Sequence, residues 1–240
     1  MSFHHDSEIY QTATMGALLR GVYDGDTSVR ELLQHGDFGL GTFNALDGEM
    51  VMVDGQCYHL GADGSAAPAA PDELLPFAAV TRFRPHHTVT IDTTSDRPEV
   101  SAVIDEAAGS TNRMVALRIT GEFSVVHTRA VTRQHQPYAK FTDATRDEKH
   151  TTFTDVRGEL LGFRMPAWVQ GISVAGYHLH FLDADRLRGG HAFDYRLSRG
   201  VVELSVCSDL HLRLPDTPEF DDADLDTGDA DDEIRRTEGN

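Results

Sequence analysis

Basic residues are scarce in this 240-residue chain: Lys and Arg total 21 against 39 Asp and Glu, a formal net charge of −18. So negative a surface repels the phosphates of nucleic acids and anionic lipids, which excludes nucleic acid and membrane surfaces as partners. The acids are spread along the chain with Asp prominent among them, as on the surface of salt-adapted proteins. Cysteine is nearly absent. Cys57 and Cys207 lie far apart and without C-x-x-C spacing, so two buried free thiols in a reducing compartment are expected rather than a bridge. Long apolar runs are missing too, since none approaches the roughly 18 residues of a membrane span. The segment Met1–Tyr10 is polar and carries His4, His5, Asp6 and Glu8. That is unlike a secretory signal or a transit peptide, and a cytoplasmic location is expected. No internal repeat recurs at a fixed period.

What is present is enough apolar material for a core, at 40% of residues, in one large β-rich domain or two small, closely packed ones. Ile9–Thr12 is short and β-like. Met15–Tyr23 places Met15, Leu18, Leu19 and Val22 at helical spacing, and Thr27 or Ser28 can cap a second helix through Leu33. Asp47-Gly48 and Asp54-Gly55 are strong turn signals flanking a strand at Glu49–Val53. Ala62–Pro71, rich in Ala, Gly and Pro, is predicted as a surface loop. Strands follow near Ala78–Phe83 and Thr88–Ile91, then a helix from Asp96 to about Ala108. Strand-like runs at Met114–Thr120 and Phe123–Ala130 are joined by a turn at Gly121. Further strands are expected at Thr151–Val156, Leu160–Phe163, Ser173–Phe181, Ala192–Leu197, Val201–Val206 and Leu210–Leu214. Val202, Leu204, Val206, Leu210, Leu212 and Leu214 share one parity, the mark of a half-buried sheet. From Asp216 onward, eleven acids stand against Arg235 and Arg236, a composition that suits a solvated tail.

The fold class that results is α+β, with two closely packed β-rich halves. Residues 1–125 would carry a mixed sheet with short helices, residues 126–215 an antiparallel sheet with a metal site, and residues 216–240 an acidic tail.

The chemistry-bearing stretch is Gly176-Tyr177-His178-Leu179-His180-Phe181-Leu182-Asp183, followed by Gly189-Gly190-His191-Ala192-Phe193. In a strand, alternate residues share a face, so His178 and His180 point one way and Tyr177, Leu179 and Phe181 the other. If the polar, glycine-containing segment Asp183–Gly190 reverses the chain, His191 returns beside the pair. Three imidazoles converging on one side of a sheet suit zinc and leave a coordination position open. The plainer alternative is three independent histidines in a chain that has 13. Arg129, in Thr128-Arg129-Ala130, stands at the end of a strand where its fork can bind a carboxylate; Arg133 is read as a surface ion pair. Glu49 follows the Asp47-Gly48 turn, within reach of a cavity rim.

Taken in order, these pieces resemble the α-acetolactate decarboxylase family over nearly the whole chain. The resemblance is carried by Tyr10-Gln11 with Gly16-Ala17-Leu18-Leu19, Gly39-Leu40-Gly41-Thr42-Phe43 with Leu46-Asp47-Gly48-Glu49-Met50, and Thr128-Arg129 through Pro137-Tyr138. Leu161-Gly162-Phe163 with Pro166 and the Gly176–Gly190 block with His191 and Phe193-Asp194 complete it. It implies Zn2+ held by His178, His180 and His191, with Arg129 and Glu49 nearby and Thr42 lining the pocket. It also implies a glutamate from the C-terminal segment, for which Glu238 fits best and Glu233 is the fallback. The implied reaction is decarboxylation of the small molecule 2-acetolactate to acetoin and CO2, zinc chelating the hydroxyl and ketone oxygens and stabilising an enediolate. Arg129 would orient the carboxylate, and Glu49 or Glu238 would deliver a proton to one face. A homodimer is implied as well.

Two other readings compete. A cupin-type metalloenzyme also places H-x-H on a strand, but Ile172 stands where it wants Gly, and Ala184 and Asp185 where it wants Glu. A non-catalytic β protein binding a metal or small ligand would leave Arg129 and Glu49 without a role.

Overall fold

The structure, a computed structural model, describes residues 7–225. The chain opens with β1 (Glu8–Thr12), α1 (Met15–Leu19), β2 (Thr27–Ser28) and α2 (Val29–His35). α1 stops earlier than its apolar spacing suggests, because Gly21 turns the backbone to φ 91. Ser28 caps α2, its hydroxyl accepting from the Glu31 amide. A meander follows: β3 (Phe38–Thr42), β4 (Glu49–Val53), β5 (Gln56–Leu60), β6 (Ala66–Pro68), β7 (Leu74–Leu75) and β8 (Phe77–Thr81). Asp54 and Gly55 both have positive φ at the β4–β5 hairpin, as a primed two-residue turn requires. β6 lies inside the segment expected to be loop, pairing with β5 as a short edge strand.

Then come β9 (His87–Ile91), β10 (Ser95–Asp96), α3 (Arg97–Ala108), β11 (Met114–Ala130) and α4 (Phe141–Ala144). Asp96 and Glu99 form a reciprocal capping box at the start of α3, with Pro98 in its first turn and left-handed Gly109 closing it. The chain continues through β12 (Lys149–Met165), β13 (Gly176–Asp183), β14 (Gly189–Cys207), β15 (Asp209–Arg213) and α5 (Pro218–Asp221).

Seven strands form one sheet in the order β15-β1-β8-β3-β4-β5-β6. It is mixed, since β15 runs parallel to β1 while β1 and β8 are antiparallel. The second sheet, of six strands, is antiparallel, and β13 pairs with both β12 and β14, so β11, β12, β13 and β14 close into a ring. The α+β architecture, a mixed sheet followed by an antiparallel one, is therefore as expected. Two further details differ. The breaks expected at Gly121 and near Gly158 and Gly200 do not exist. These three glycines stand opposite one another across β12, β11 and β14, and a Cβ at Gly121 would meet the Arg199 carbonyl oxygen and Gly200 Cα. Glycine here permits close backbone approach inside continuous strands rather than ending them, and residue 125 falls within β11. The second difference is β15: its shared parity with Val202–Val206 suggested one sheet, yet it returns to pair with β1.

The two sheets bury an apolar layer between them in which Leu40, Val51 and Ala79 meet Ala116, Leu161, Phe163 and Leu182. On the far side of the second sheet, Val100 and Ile104 of α3 pack against Leu117, Leu160, Leu179 and Phe181. Cys57 and Cys207 are both free and buried, as expected. Among the described residues no helix is long and apolar enough to cross a membrane.

Gly162 sits opposite Leu179 in the β12–β13 pairing. A methyl there would meet the His178 carbonyl oxygen and, at 2.7 Å, a Leu40 methyl from the other sheet. Gly162→Ala is expected to cost about 1–3 kcal/mol or more, read as a lower urea midpoint at unchanged slope. An unchanged midpoint would contradict this packing.

Candidate metal centre

Strand register assembles the site. His180 of β13 lies directly opposite His191 of β14, and His191 in turn lies opposite Arg129 of β11. Residues directly opposite in antiparallel strands present their side chains to the same face. His178 joins them two residues before His180, on the face that also carries Leu182, while Leu179 and Phe181 pack on the α3 side. That face looks toward the first sheet. The ligand-capable atoms of His178, His180 and His191 all lie within 4.8 Å of one another, and the ring centroids are 4.9–5.3 Å apart.

The first sheet contributes the opposite wall. β4 abuts β13, and the Met50 carbonyl accepts a hydrogen bond from His180 Nδ1 at 2.8 Å. With Nδ1 as the donor, Nε2 is left as a lone-pair base. His180 Nε2 is fully buried and has no hydrogen-bond partner among the described residues. An orphaned imidazole lone pair beside two other imidazoles is the donor set of a divalent metal ion. The residues present fit such an ion.

Burial also sets the protonation state. All three imidazoles titrate below the ordinary value of 6.5, chiefly through loss of water. For His178 the next causes are His180 and then the Arg129 guanidinium; for His191 they are Arg129 and then the other two rings. His180 is lowered to about 4, its bond to Met50 opposing part of the fall. The rings are thus neutral near pH 7, the form that binds metal.

Glu49, at the start of β4, brings its carboxylate to 3.6 Å from His180 Nε2. Thr42 pairs with Glu49 in the β3–β4 register, and its hydroxyl donates to the Gly48 carbonyl at 2.7 Å, bracing the turn that delivers Glu49. That connection is longer than a two-residue hairpin and contains Ala45 and Leu46 at φ 63 and 52, a strained conformation for non-glycine residues. Outside bonds hold it: the Ala45 amide donates to the Tyr23 carbonyl at 2.8 Å, and its carbonyl accepts from the Gln134 amide at 2.7 Å.

Arg129 Nη2 stands 3.4 Å from His191 Nε2. Thr42, Glu49, Arg129, His178 and His191 line one cavity, walled on its apolar side by Met15, Leu18, Leu46, Phe77, Val131 and Phe141. The structure thereby brings Thr42, Glu49, Arg129, His178, His180 and His191 together. Arg133 lies outside, in an exposed ion pair with Asp47 at 2.7 Å, as read from sequence. Glu238 and Glu233 lie outside the described residues. One ionisable group in the cavity was not anticipated: Glu148, just before β12, whose Oε1 is 3.6 Å from Arg129 Nη1. Its signal was faint, an acid two residues before the residue that pairs with Arg129.

A buried histidine triad with a guanidinium and a carboxylate at its edge could hold one divalent ion beside an anion-binding group. Residues 9–227 match the alpha-acetolactate decarboxylase family. The alpha-acetolactate decarboxylase of Klebsiella aerogenes is 48% identical over 98% of this chain and 90% of its own length. That of Methylococcus capsulatus is 42% identical over 92% and 85%. The crystal structure of alpha-acetolactate decarboxylase from Bacillus subtilis strain 168 superposes with a TM-score of 0.95 at 43% identity, covering 97% of this chain and 100% of that one. The chain belongs to the α-acetolactate decarboxylase family, and the cupin-type reading is left without support.

The lowered imidazoles give the metal-free protein a defined acid response. Unfolded histidines titrate near 6.5 while His180 in the fold titrates near 4. Between these values the unfolded state binds more protons, so stability falls as pH drops through that window. Metal-free protein is expected to lose more stability from pH 6.5 to 4 than a metal-free His180→Gln variant, measured by urea unfolding; equal losses would contradict the assignment.

Proposed function

We propose that the chain is a carboxy-lyase that converts 2-acetolactate to acetoin and CO2, using Zn2+ held by His178, His180 and His191. The observation that carries this reading is the buried Nε2 of His180, without a hydrogen-bond partner among the described residues, beside two further neutral imidazoles, with Arg129 and Glu49 facing the same space. Family membership supports it independently.

2-Acetolactate is a β-keto acid. Breaking the bond to its carboxylate releases CO2 and leaves an electron pair that the neighbouring ketone accepts, so no organic electron sink is needed. A zinc ion at the three imidazoles supplies positive charge where the ketone oxygen becomes negative. The chain does the rest. Arg129 presents a planar fork to the carboxylate and sets the scissile bond in place. Glu49 moves the proton that completes acetoin at C2, from the β4 side of the cavity and therefore to one face. Glu238 is a second candidate for that proton. Thr42 keeps Glu49 at its station through Gly48. The wall formed by Met15, Leu18, Phe77 and Phe141 excludes water and strengthens each charge interaction within. A reducing, cytoplasmic setting suits the two free thiols, and a homodimer rests on the family resemblance.

His178→Ala is expected to lose bound zinc and acetoin formation together. Arg129→Ala should retain zinc while turnover falls about 10²–10³-fold. Metal analysis beside an acetoin assay on racemic acetolactate, with and without a chelator, checks both. Parental rates in both variants, or full activity after chelation, would refute the proposal.

A further inference from the structure

Arg129 is anchored by a carboxylate that takes no part in the reaction itself. Its guanidinium lies between two groups: Nη2 is 3.4 Å from His191 Nε2, and Nη1 is 3.6 Å from Glu148 Oε1. Both members of the ion pair are largely withdrawn from water, their side chains 13% and 16% exposed. The same Glu148 oxygen takes His150 Nε2 at 2.9 Å, and His150 is the residue directly opposite Arg129 in the β11–β12 register. Glu148 is thus fastened from the solvent side by a residue of the strand that pairs with Arg129. The segment leading to it is fixed as well, with Phe141 of α4 packed among Met15, Leu18 and Tyr23 and Tyr23 donating to the Ala139 carbonyl.

Electrostatics explain why an anchor is needed. The guanidinium stands 3.4 Å from one of three clustered imidazoles, and a divalent ion held among them would repel it. A mostly buried cation so placed needs a fixed countercharge. Glu148 is aimed at one end of the fork and leaves the other end toward His191 and the cavity.

We propose that Glu148 is a positioning residue: it holds the Arg129 guanidinium in the orientation that receives the carboxylate of a 2-hydroxy acid. The inference rests on reading Arg129 as the carboxylate-binding group. It also predicts a sign that charge alone does not. Removing a carboxylate makes the cavity more positive, so simple long-range attraction would tighten an anion. Loss of orientation weakens it instead.

The test uses zinc-loaded full-length protein and the unreactive probe 2-hydroxy-2-methylpropanoate, which keeps the hydroxyl and carboxylate but has no ketone. Glu148→Gln is nearly isosteric. With zinc content and melting temperature at parental values, it is expected to weaken probe binding by calorimetry about tenfold and to raise KM for acetolactate more than it lowers kcat. In an Arg129→Ala background, adding Glu148→Gln should change probe affinity no further, because the group being positioned is gone. Unchanged or tighter binding in Glu148→Gln, an equal loss in both backgrounds, or a parental protein that does not bind the probe would overturn the proposal. Failure of the decarboxylase reading would look different: the parental chain would make no acetoin while the probe-binding differences persisted.

Discussion

The whole site hangs on one row of cross-strand neighbours, His180, His191 and Arg129 on β13, β14 and β11. Strand pairing places these side chains on one face, and the ring formed by β11, β12, β13 and β14 prevents that row from slipping. A one-residue shift of β13 would turn His178 and His180 toward α3 and bring Leu179 and Phe181 to the cavity. The glycines that let strands approach closely at Gly121, Gly158 and Gly162 are therefore part of the site's construction, although none of them touches the cavity.

Placing the imidazoles at the seam between two sheets gives them their chemical character. The layer between the sheets excludes water, so the rings stay neutral, and the first sheet supplies what the second lacks. The Met50 carbonyl orients His180, Glu49 adds a carboxylate, and Thr42 and the strained Ala45–Leu46 turn hold that carboxylate in place. Arg129 and Glu148 come from the other side and form a charge pair of their own. Arg129 and Glu49 thereby face the cavity from opposite walls, an arrangement suited to binding an anion on one side and moving a proton from the other.

Much of this was legible in the residues. H-x-H followed by Gly-Gly-His identifies a shared face because the strand period is two and the segment before His191 can reverse. Asp96 with Pro98 following marks the start of α3, where the structure adds Glu99 to complete the cap. What remained hidden depended on partners distant in sequence. Gly121 looked like a turn because glycine weakens a strand, and only its neighbours Gly158 and Gly200 on adjacent strands show why it stays within one. The return of β15 to pair with β1 follows from no local pattern, since alternation reports that a strand is half-buried and not which sheet receives it. Glu148 was missed for the same reason: its importance lies in reaching Arg129 from the segment just before β12, a partner distant in sequence.

The central claim is that three imidazoles grip one cation at that seam. Anomalous diffraction at the zinc edge, from crystals of zinc-loaded protein, tests it directly. The account predicts one peak at roughly 2.0–2.1 Å from a ring nitrogen of each of His178, His180 and His191, with Arg129 and Glu49 facing it. A zinc-replete crystal with its anomalous peak elsewhere, or with these three rings unligated, would contradict it.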